Sequence, residues 1–382
     1  MNRPRYKLGP VFREIWFLYF HQLLHVFAIA DKIIQNLEKV REERKKNARR
    51  RIWELLQNAK DVRNIYRKVS IQISYGKDRL SFSHNGDPFS ENDLISLAQQ
   101  VSSKDSENED DEVTGKFGTC FISTHLLSDL ILVNGVLHRD SGKYQRFQIR
   151  LDRQASKSEA LAVLIKRTIE TIRKLDEDPA FQPADGYSEG RTEEQYDTSF
   201  LYELKDDPSR NTATSGLQEL VETLPLALVF LDKIKTVTAT DEQTSATNQY
   251  TCTVDRSIDK TTFYTVTKRS TGQADQELRF IKMSAEKDEI DLVIPVNDFQ
   301  DPTISIPDGQ TPYLYRDFPL VGSERFYFPF YVNGRTFFTM VDRNGILLNG
   351  KDGKPGHNRD LLTIARTTAL QFTDGSKCNA SS

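Results

Sequence analysis

Apolar residues recur along this chain with two different periods, and each change of period marks a new element. Trp16, Phe20, Leu23, Phe27, Ala30, Ile34 and Leu37 alternate spacings of four and three, the seam of a long amphipathic helix that either packs on its own domain or forms a dimerising or strand-swapping arm. Ile52, Leu55, Leu56, Ala59 and Val62 repeat at helical spacing across Arg51 to Asp61. Val69, Ile71 and Ile73 then alternate with polar residues, Tyr75 to Arg79 carries turn chemistry, and Leu80 and Phe82 resume the alternation, which predicts a β-hairpin. A short helix begins at Asp93 and reaches Gln99. From Ser102 to Gly115 the chain is polar and crowded with Asp105, Glu107, Glu109, Asp110, Asp111 and Glu112, and so short of apolar surface that a mobile loop is expected.

The second half reads in the same way. Phe121 to Val133 is a helix giving way to a strand, Gln145 to Leu151 a strand, and Leu161 to Leu175 a helix. Ala180 to Gln195 has loop composition, and Asp197 to Tyr202 is the closing strand of a first domain. Asp206 to Ser215 is expected to be a linker, and Leu217 to Lys235 a helical segment broken or kinked at Pro225. Alternating strands follow to about Val296. The fold class is therefore α+β, with a first domain over 1–207, a second α+β domain over 208–373, and a fraying tail over 374–382. No internal repeat is evident.

Composition narrows the class. At 382 residues with 37% hydrophobic and 28% charged content, the chain can bury two cores and is too apolar to be wholly disordered. A net charge of −3 advertises no global affinity for nucleic acid, which leaves only local patches to consider. One such patch is Arg41, Arg44, Lys45, Lys46, Arg49, Arg50 and Arg51, either a solvated face or a contact for phosphate or an acidic partner. Cys120, Cys252 and Cys378 lie far apart without C-x-x-C spacing, so neither a zinc site nor a disulfide scaffold is expected, and a reducing cytoplasm fits. The apolar run Ile15 to Ala30 is interrupted by His21, Gln22 and His25 and falls short of the roughly 20 apolar residues of a membrane span.

Three segments carry the candidate chemistry. Glu54, Asn58 and Asp61 stand at i, i+4 and i+7, so a helix projects all three from one face, suited to a base and a metal. His84-Asn85-Gly86-Asp87-Pro88-Phe89 follows the hairpin, where a backbone turn can approach a ligand closely. Gly115-Lys116-Phe117-Gly118-Thr119-Cys120-Phe121 would expose backbone N–H groups to a phosphate at a helix N-terminus, with Lys104 and Lys116 flanking the acidic loop.

In order and content these segments resemble the GHKL ATPase superfamily, whose Bergerat-fold members include gyrase B, the mismatch-repair ATPases and the ninety-kilodalton heat-shock chaperone. The similarity covers roughly 35–205 and looks most like the sacsin-like, chaperone-like branch. Phe318 to Glu324, Phe328 to Gly334 and Asp342 to Gly345 are similar to the segment that follows the ATPase domain in that branch. The resemblance implies a Bergerat α/β sandwich, a mixed sheet with helices on one face, followed by a second α+β domain. It also implies binding and slow hydrolysis of ATP with Mg²⁺, coupled to movement of a lid or clamp.

The resemblance assigns roles by position. Glu54 would be the general base for water, Asn58 the Mg²⁺ ligand, and Asp61 a neighbour of the nucleotide base. His84, Asn85 and Gly86 would line the base, Thr198 would contact it through its hydroxyl, and Lys104, Gly115, Lys116, Phe117, Gly118 and Thr119 would meet the phosphates. Arg335 or Arg343 would reach the terminal phosphate. His84 stands where the superfamily usually has an Asp that accepts from the adenine amine, and a neutral histidine can accept through one ring nitrogen. Pro88 and Cys120 replace glycines of the pattern. A protein client and a homodimer formed through the N-terminal helix are the partners implied, with DNA left open and no membrane expected. A non-hydrolysing ATP-sensing module and a DNA-associated ATPase are the alternatives.

Overall fold

The computed structural model describes residues 10–44, 48–62, 64–100, 119–174, 178–285, 289–300, 302–305, 309–340, 343–350 and 353–379. The fold is α+β around one large mixed sheet. Helices α1 (Pro10–Glu42), α2 (Arg51–Lys60), α3 (Glu91–Gln99), α4 (Thr119–Ile122), α5 (Ser158–Arg173), α6 (Tyr187–Gly190), α7 (Asp207–Phe230) and α8 (Gly353–Asn379) surround it. Its strands are β1 (Val69–Tyr75), β2 (Arg79–His84), β3 (Leu130–His138), β4 (Tyr144–Asp152), β5 (Phe181–Pro183), β6 (Thr198–Glu203), β7 (Ile234–Asp241), β8 (Thr247–Ile258), β9 (Thr261–Ser270), β10 (Gln276–Ser284), β11 (Ile290–Val296), β12 (Leu314–Arg316), β13 (Phe318–Pro319) and β14 (Tyr331–Gly334). Their order is β13-β12-β14-β11-β10-β9-β8-β7-β1-β2-β6-β3-β4-β5. The join between the two halves is the parallel pair β1–β7, with Ile71 opposite Val237.

Register explains which face the helices cover. One row across the sheet runs Asn134, Ser199, Ser83, Gln72, Thr238, Gln249 and Arg269, polar throughout. The adjacent rows place Val133, Phe200, Phe82 and Ile73, then Thr198, His84, Ile71, Val237 and Tyr250, on the opposite face. The period-2 alternation that predicts the hairpin thus segregates the two faces. Helix α2 packs on β1, α5 on β4, and α7 on β8 to β10. Farther along, both faces are buried: Phe280 and Val293 join the first core cluster, while Ile281, Met283, Leu292, Ile294 and Val332 join a second one with Leu361 and Ala365 of α8.

Two expectations are corrected. The stretch 206–215 is not a linker but the start of α7: Asp206 caps the helix by accepting from the Ser209 N–H at 2.8 Å, and the Ser209 hydroxyl accepts from the Asp206 N–H. Asp-Asp-Pro-Ser has turn composition, yet it is equally a capping box with proline in the first turn, and the apolar face beyond it decides the outcome. Helix α7 continues through Pro225 to Phe230. In α1 the expected seam is met at Ala30 and Leu37, which are buried, and at Ile34, which packs on the core, but Phe27 is 36% exposed and Ile29 and Ile33 are buried beside them. The shifted stripe satisfies the helical period equally, and packing against α5 selects it.

Candidate functional site

Every residue of α2 is buried, including Arg51, Glu54, Gln57, Asn58 and Lys60. The helix is wedged between β1 and α7, so its polar residues are enclosed with its apolar ones. Glu54 accepts from Arg50 Nη2 at 3.0 Å through Oε1, while its buried Oε2 has no hydrogen-bond partner. One turn later, Asn58 Nδ2 is also buried and partnerless. Asp61 caps the C-terminal end with its backbone N–H on Gln57 O.

Chain from the far end of the sequence closes over this helix. A narrow cleft is lined by Arg50, Trp53, Glu54 and Gln57 on one side and by Arg316 and Arg343 on the other. Arg343 Nη1 donates to Gln57 Oε1, and Lys60 pairs with Asp317. Phe318 meets Trp53 edge-on with ring centroids 6.0 Å apart. Burial, with the nearby Arg343 charge, holds the Arg316 guanidinium below its usual pKa, and Asp317 partly offsets this. Of the two second-half arginines expected near the phosphates, Arg343 is therefore at α2. Arg335 lies instead toward Asp291, at 3.5 Å.

The turn after β2 is built differently. His84 ends β2 opposite Ile71 and Thr198, which puts it on the helix-covered face. Its Nδ1 accepts the Gly86 N–H at 3.1 Å, and burial, reinforced by the Arg191 charge, lowers its pKa to about 3. Asn85 Oδ1 accepts from Ser70 N at 2.8 Å and from Asn64 Nδ2 at 3.1 Å, while Asn85 Nδ2 donates to Glu193 O at 2.8 Å. A Cβ on Gly86 would stand 2.6 Å from Val62 Cγ1 and 2.8 Å from His84 Nδ1, so only glycine fits. Arg191 grips the outside of the turn, donating to Asp87 Oδ1 (2.8 Å), Asn85 O (2.7 Å) and Gly86 O (2.6 Å), with its guanidinium over the rings of Tyr66 and Tyr187.

Thr198 opens β6, is 1% exposed, and is the register partner of His84. Thr119 opens the short helix α4. Lys104, Gly115, Lys116, Phe117 and Gly118, together with the acidic segment expected to be a loop, lie outside the described residues. The residues that flank this stretch are tied together: Gln100 Nε2 and His125 Nε2 are 2.8 Å apart, and Arg153, 2% exposed, donates to Ala98 O. Part of the basic run is spent internally, Arg41 on Asp129, Arg49 on Glu219 and Glu324, and Arg50 on Glu54, while Lys45 and Lys46 lie outside the described residues.

Sequence reading missed Arg191, Arg316, Gln57 and Trp53. Arg191 had one signal, as the lone cation between Asp185 and Asp197 in a stretch that also holds Glu189, Glu193 and Glu194. No helix among the described residues is long and apolar enough to cross a membrane. No known family model matches the chain, and no curated protein matches it.

Proposed function

We propose that this chain is a slow, Mg²⁺-dependent ATPase of the GHKL type, with a Bergerat-type first domain and a second α+β domain, whose nucleotide cycle remodels the chain or a bound protein partner in a reducing cytoplasm. The observation that carries the reading is Glu54, whose buried Oε2 is partnerless beside a cleft that receives two guanidiniums. A buried polar atom left unsatisfied costs about 1–3 kcal/mol, a cost that a ligand can offset.

Phosphoryl transfer to water needs held phosphates, neutralised charge and an oriented water. Glu54 Oε2 is the atom that takes the proton of the attacking water. Asn58 would offer its amide oxygen to Mg²⁺, which suits a cation that keeps several waters and takes few protein ligands. Mg²⁺, when bound, supplies charge neutralisation on the phosphates. Arg316 and Arg343 would face the terminal phosphate as fixed charges at the open side of α2.

Mg²⁺-dependent ATP binding and phosphate release by the full chain test this, alongside Glu54→Gln. The expected outcome is retained binding with release lowered at least about 10²-fold; equal turnover in variant and parent removes Glu54 from the mechanism. One observation favours the second reading, a non-hydrolysing sensor: Arg50 already engages Oε1 of Glu54, so one of the two carboxylate oxygens is committed to an ion pair within the chain. Binding without any release by the parent chain would select that reading.

A further inference from the structure

Lys60 ends a helix whose residues are all buried, and its side chain is 7% exposed. An ammonium so enclosed needs a counter-charge, because a buried charge without one is far costlier than a paired one. Asp317 supplies it from 257 residues away, and the centroid of the Phe318 ring lies 5.6 Å from the same ammonium. Asp317 stands at the apex between β12 and β13, where Arg316 pairs with Phe318 across the turn. Its φ of +61° is left-handed, a backbone that Asp and Asn adopt more readily than most residues.

The apex is gripped from two sides. Its carboxylate goes to α2, and its N–H donates at 2.7 Å to Oδ1 of Asn333 on β14. Asn333 is 1% exposed and turns its Nδ2 toward Asp291, whose Oδ1 accepts from Ser284 Oγ at 2.6 Å. A line of polar groups thus runs from α2 through the apex into the strands of the second core. The residues that flank the apex are also the ones that reach α2: Phe318 meets Trp53, and Arg316 lines the cleft that holds Glu54. Arg316 has little of its own to fix it. Its one hydrogen bond among the described residues runs from Nε to Arg335 O at 3.2 Å, and it shares the cleft with the like charge of Arg343. Where the guanidinium reaches is therefore set by where the apex puts its Cα.

We propose that Asp317 is a positioning residue: clamped between Lys60 and Asn333, it holds Arg316 in the cleft opposite Glu54, where the guanidinium meets a terminal phosphate. The inference rests on the nucleotide-site reading above and adds to it the ion pair that sets one of its charges.

Mg²⁺ complexes of ATP and ADP, titrated against the full chain, test this, since only ATP carries the terminal phosphate. Asp317→Asn keeps the shape and the left-handed backbone while deleting the charge that engages Lys60. It is expected to weaken ATP about tenfold and ADP no more than about twofold, as is Arg316→Gln. The double variant Arg316→Gln/Asp317→Asn should bind ATP no more weakly than Arg316→Gln alone, because positioning has no value once the guanidinium is gone. An unchanged ATP-to-ADP ratio in Asp317→Asn, or additive losses in the double variant, overturns the proposal while leaving the nucleotide-site reading intact. If neither nucleotide binds the parent, both fall.

Asp317→Asn leaves Lys60 buried without its counter-charge, so a second variant guards against misfolding. Lys60→Met/Asp317→Asn removes both charges at nearly constant volume and should show the same selective loss of ATP; a folded chain that keeps the parent's ratio overturns the proposal. A further measurement needs no ligand. In a Trp16→Phe background Trp53 is the sole indole, and losing the pair should raise its quenching by acrylamide as Phe318 leaves its edge. Unchanged quenching in the folded variant overturns the proposal as well.

Discussion

Helix α2 and the turn after β2 are both buried and polar, yet they treat their polar atoms in opposite ways. Around the turn, the side chains of Asn64 and Arg191 and the backbone of Ser70 and Glu193 meet nearly every hydrogen-bonding atom, and the result is a fixed piece of backbone. On α2, Glu54 and Asn58 keep partnerless atoms in an enclosed helix. The difference separates support from chemistry. Satisfied networks hold geometry, and unsatisfied ones are where a ligand gains most.

Substitutions that break the comparison should therefore have unequal effects. The largest is expected for Arg191→Ala, which strips three hydrogen bonds and the partner of Asp87 and should cost about 3 kcal/mol or more in urea unfolding. A loss under about 1 kcal/mol would mean that the turn does not depend on its clamp. Gly86→Ala comes next, at about 1–3 kcal/mol, because the new methyl meets Val62 and the His84 ring below contact distance; retained stability would show that the turn can shift.

Acid should erode the same support. His84 is held at about 3 and His125 well below its ordinary 6.5, both chiefly by burial, so in the native state both stay neutral. Above pH about 6.5 they are neutral in both states and contribute no pH dependence. As pH falls below 6.5 the unfolded chain takes up protons that the native chain refuses, and stability should drop by about 1.4 kcal/mol per pH unit for each histidine until its folded pKa is reached. Unfolding curves between pH 7 and 5 check the sign; stability that rises on acidification would contradict both burials.

The smallest effect is expected on α2. Asn58→Ala removes a partnerless buried amide and should change stability by less than about 1 kcal/mol, in either direction, while lowering Mg²⁺–ATP binding. A destabilisation matching that of Arg191→Ala would erase the distinction between the two regions.

Much of this was legible before folding. The hairpin, the strand at 197–202 and the helical face of Glu54 and Asn58 follow from local period alone, because their partners are near in sequence or their pattern is unambiguous. Other features depend on distant chain. Arg191 reaches Asn85 from 106 residues away, and Arg343 reaches Gln57 from 286 away, separations over which pattern carries no information. The His84 tautomer was equally hidden, since the residue type permits either nitrogen to accept and only the Gly86 N–H decides. Part of the α1 stripe and the 206–215 segment misled for a related reason: two local readings were nearly equal, and tertiary packing chose between them.

A ten-residue helix whose N-cap makes no side-chain bond has little stability of its own in water. Helix α2 persists because β1, α7 and residues of the far end, among them Arg316, Phe318 and Arg343, enclose it, and all of these but β1 come late in the chain. During synthesis, residues 51–60 leave the ribosome long before their walls exist, so ligand affinity cannot appear gradually as the chain lengthens. Fragments ending before Phe230 should bind nothing, and the first appearance of nucleotide binding would report that the whole enclosure has closed.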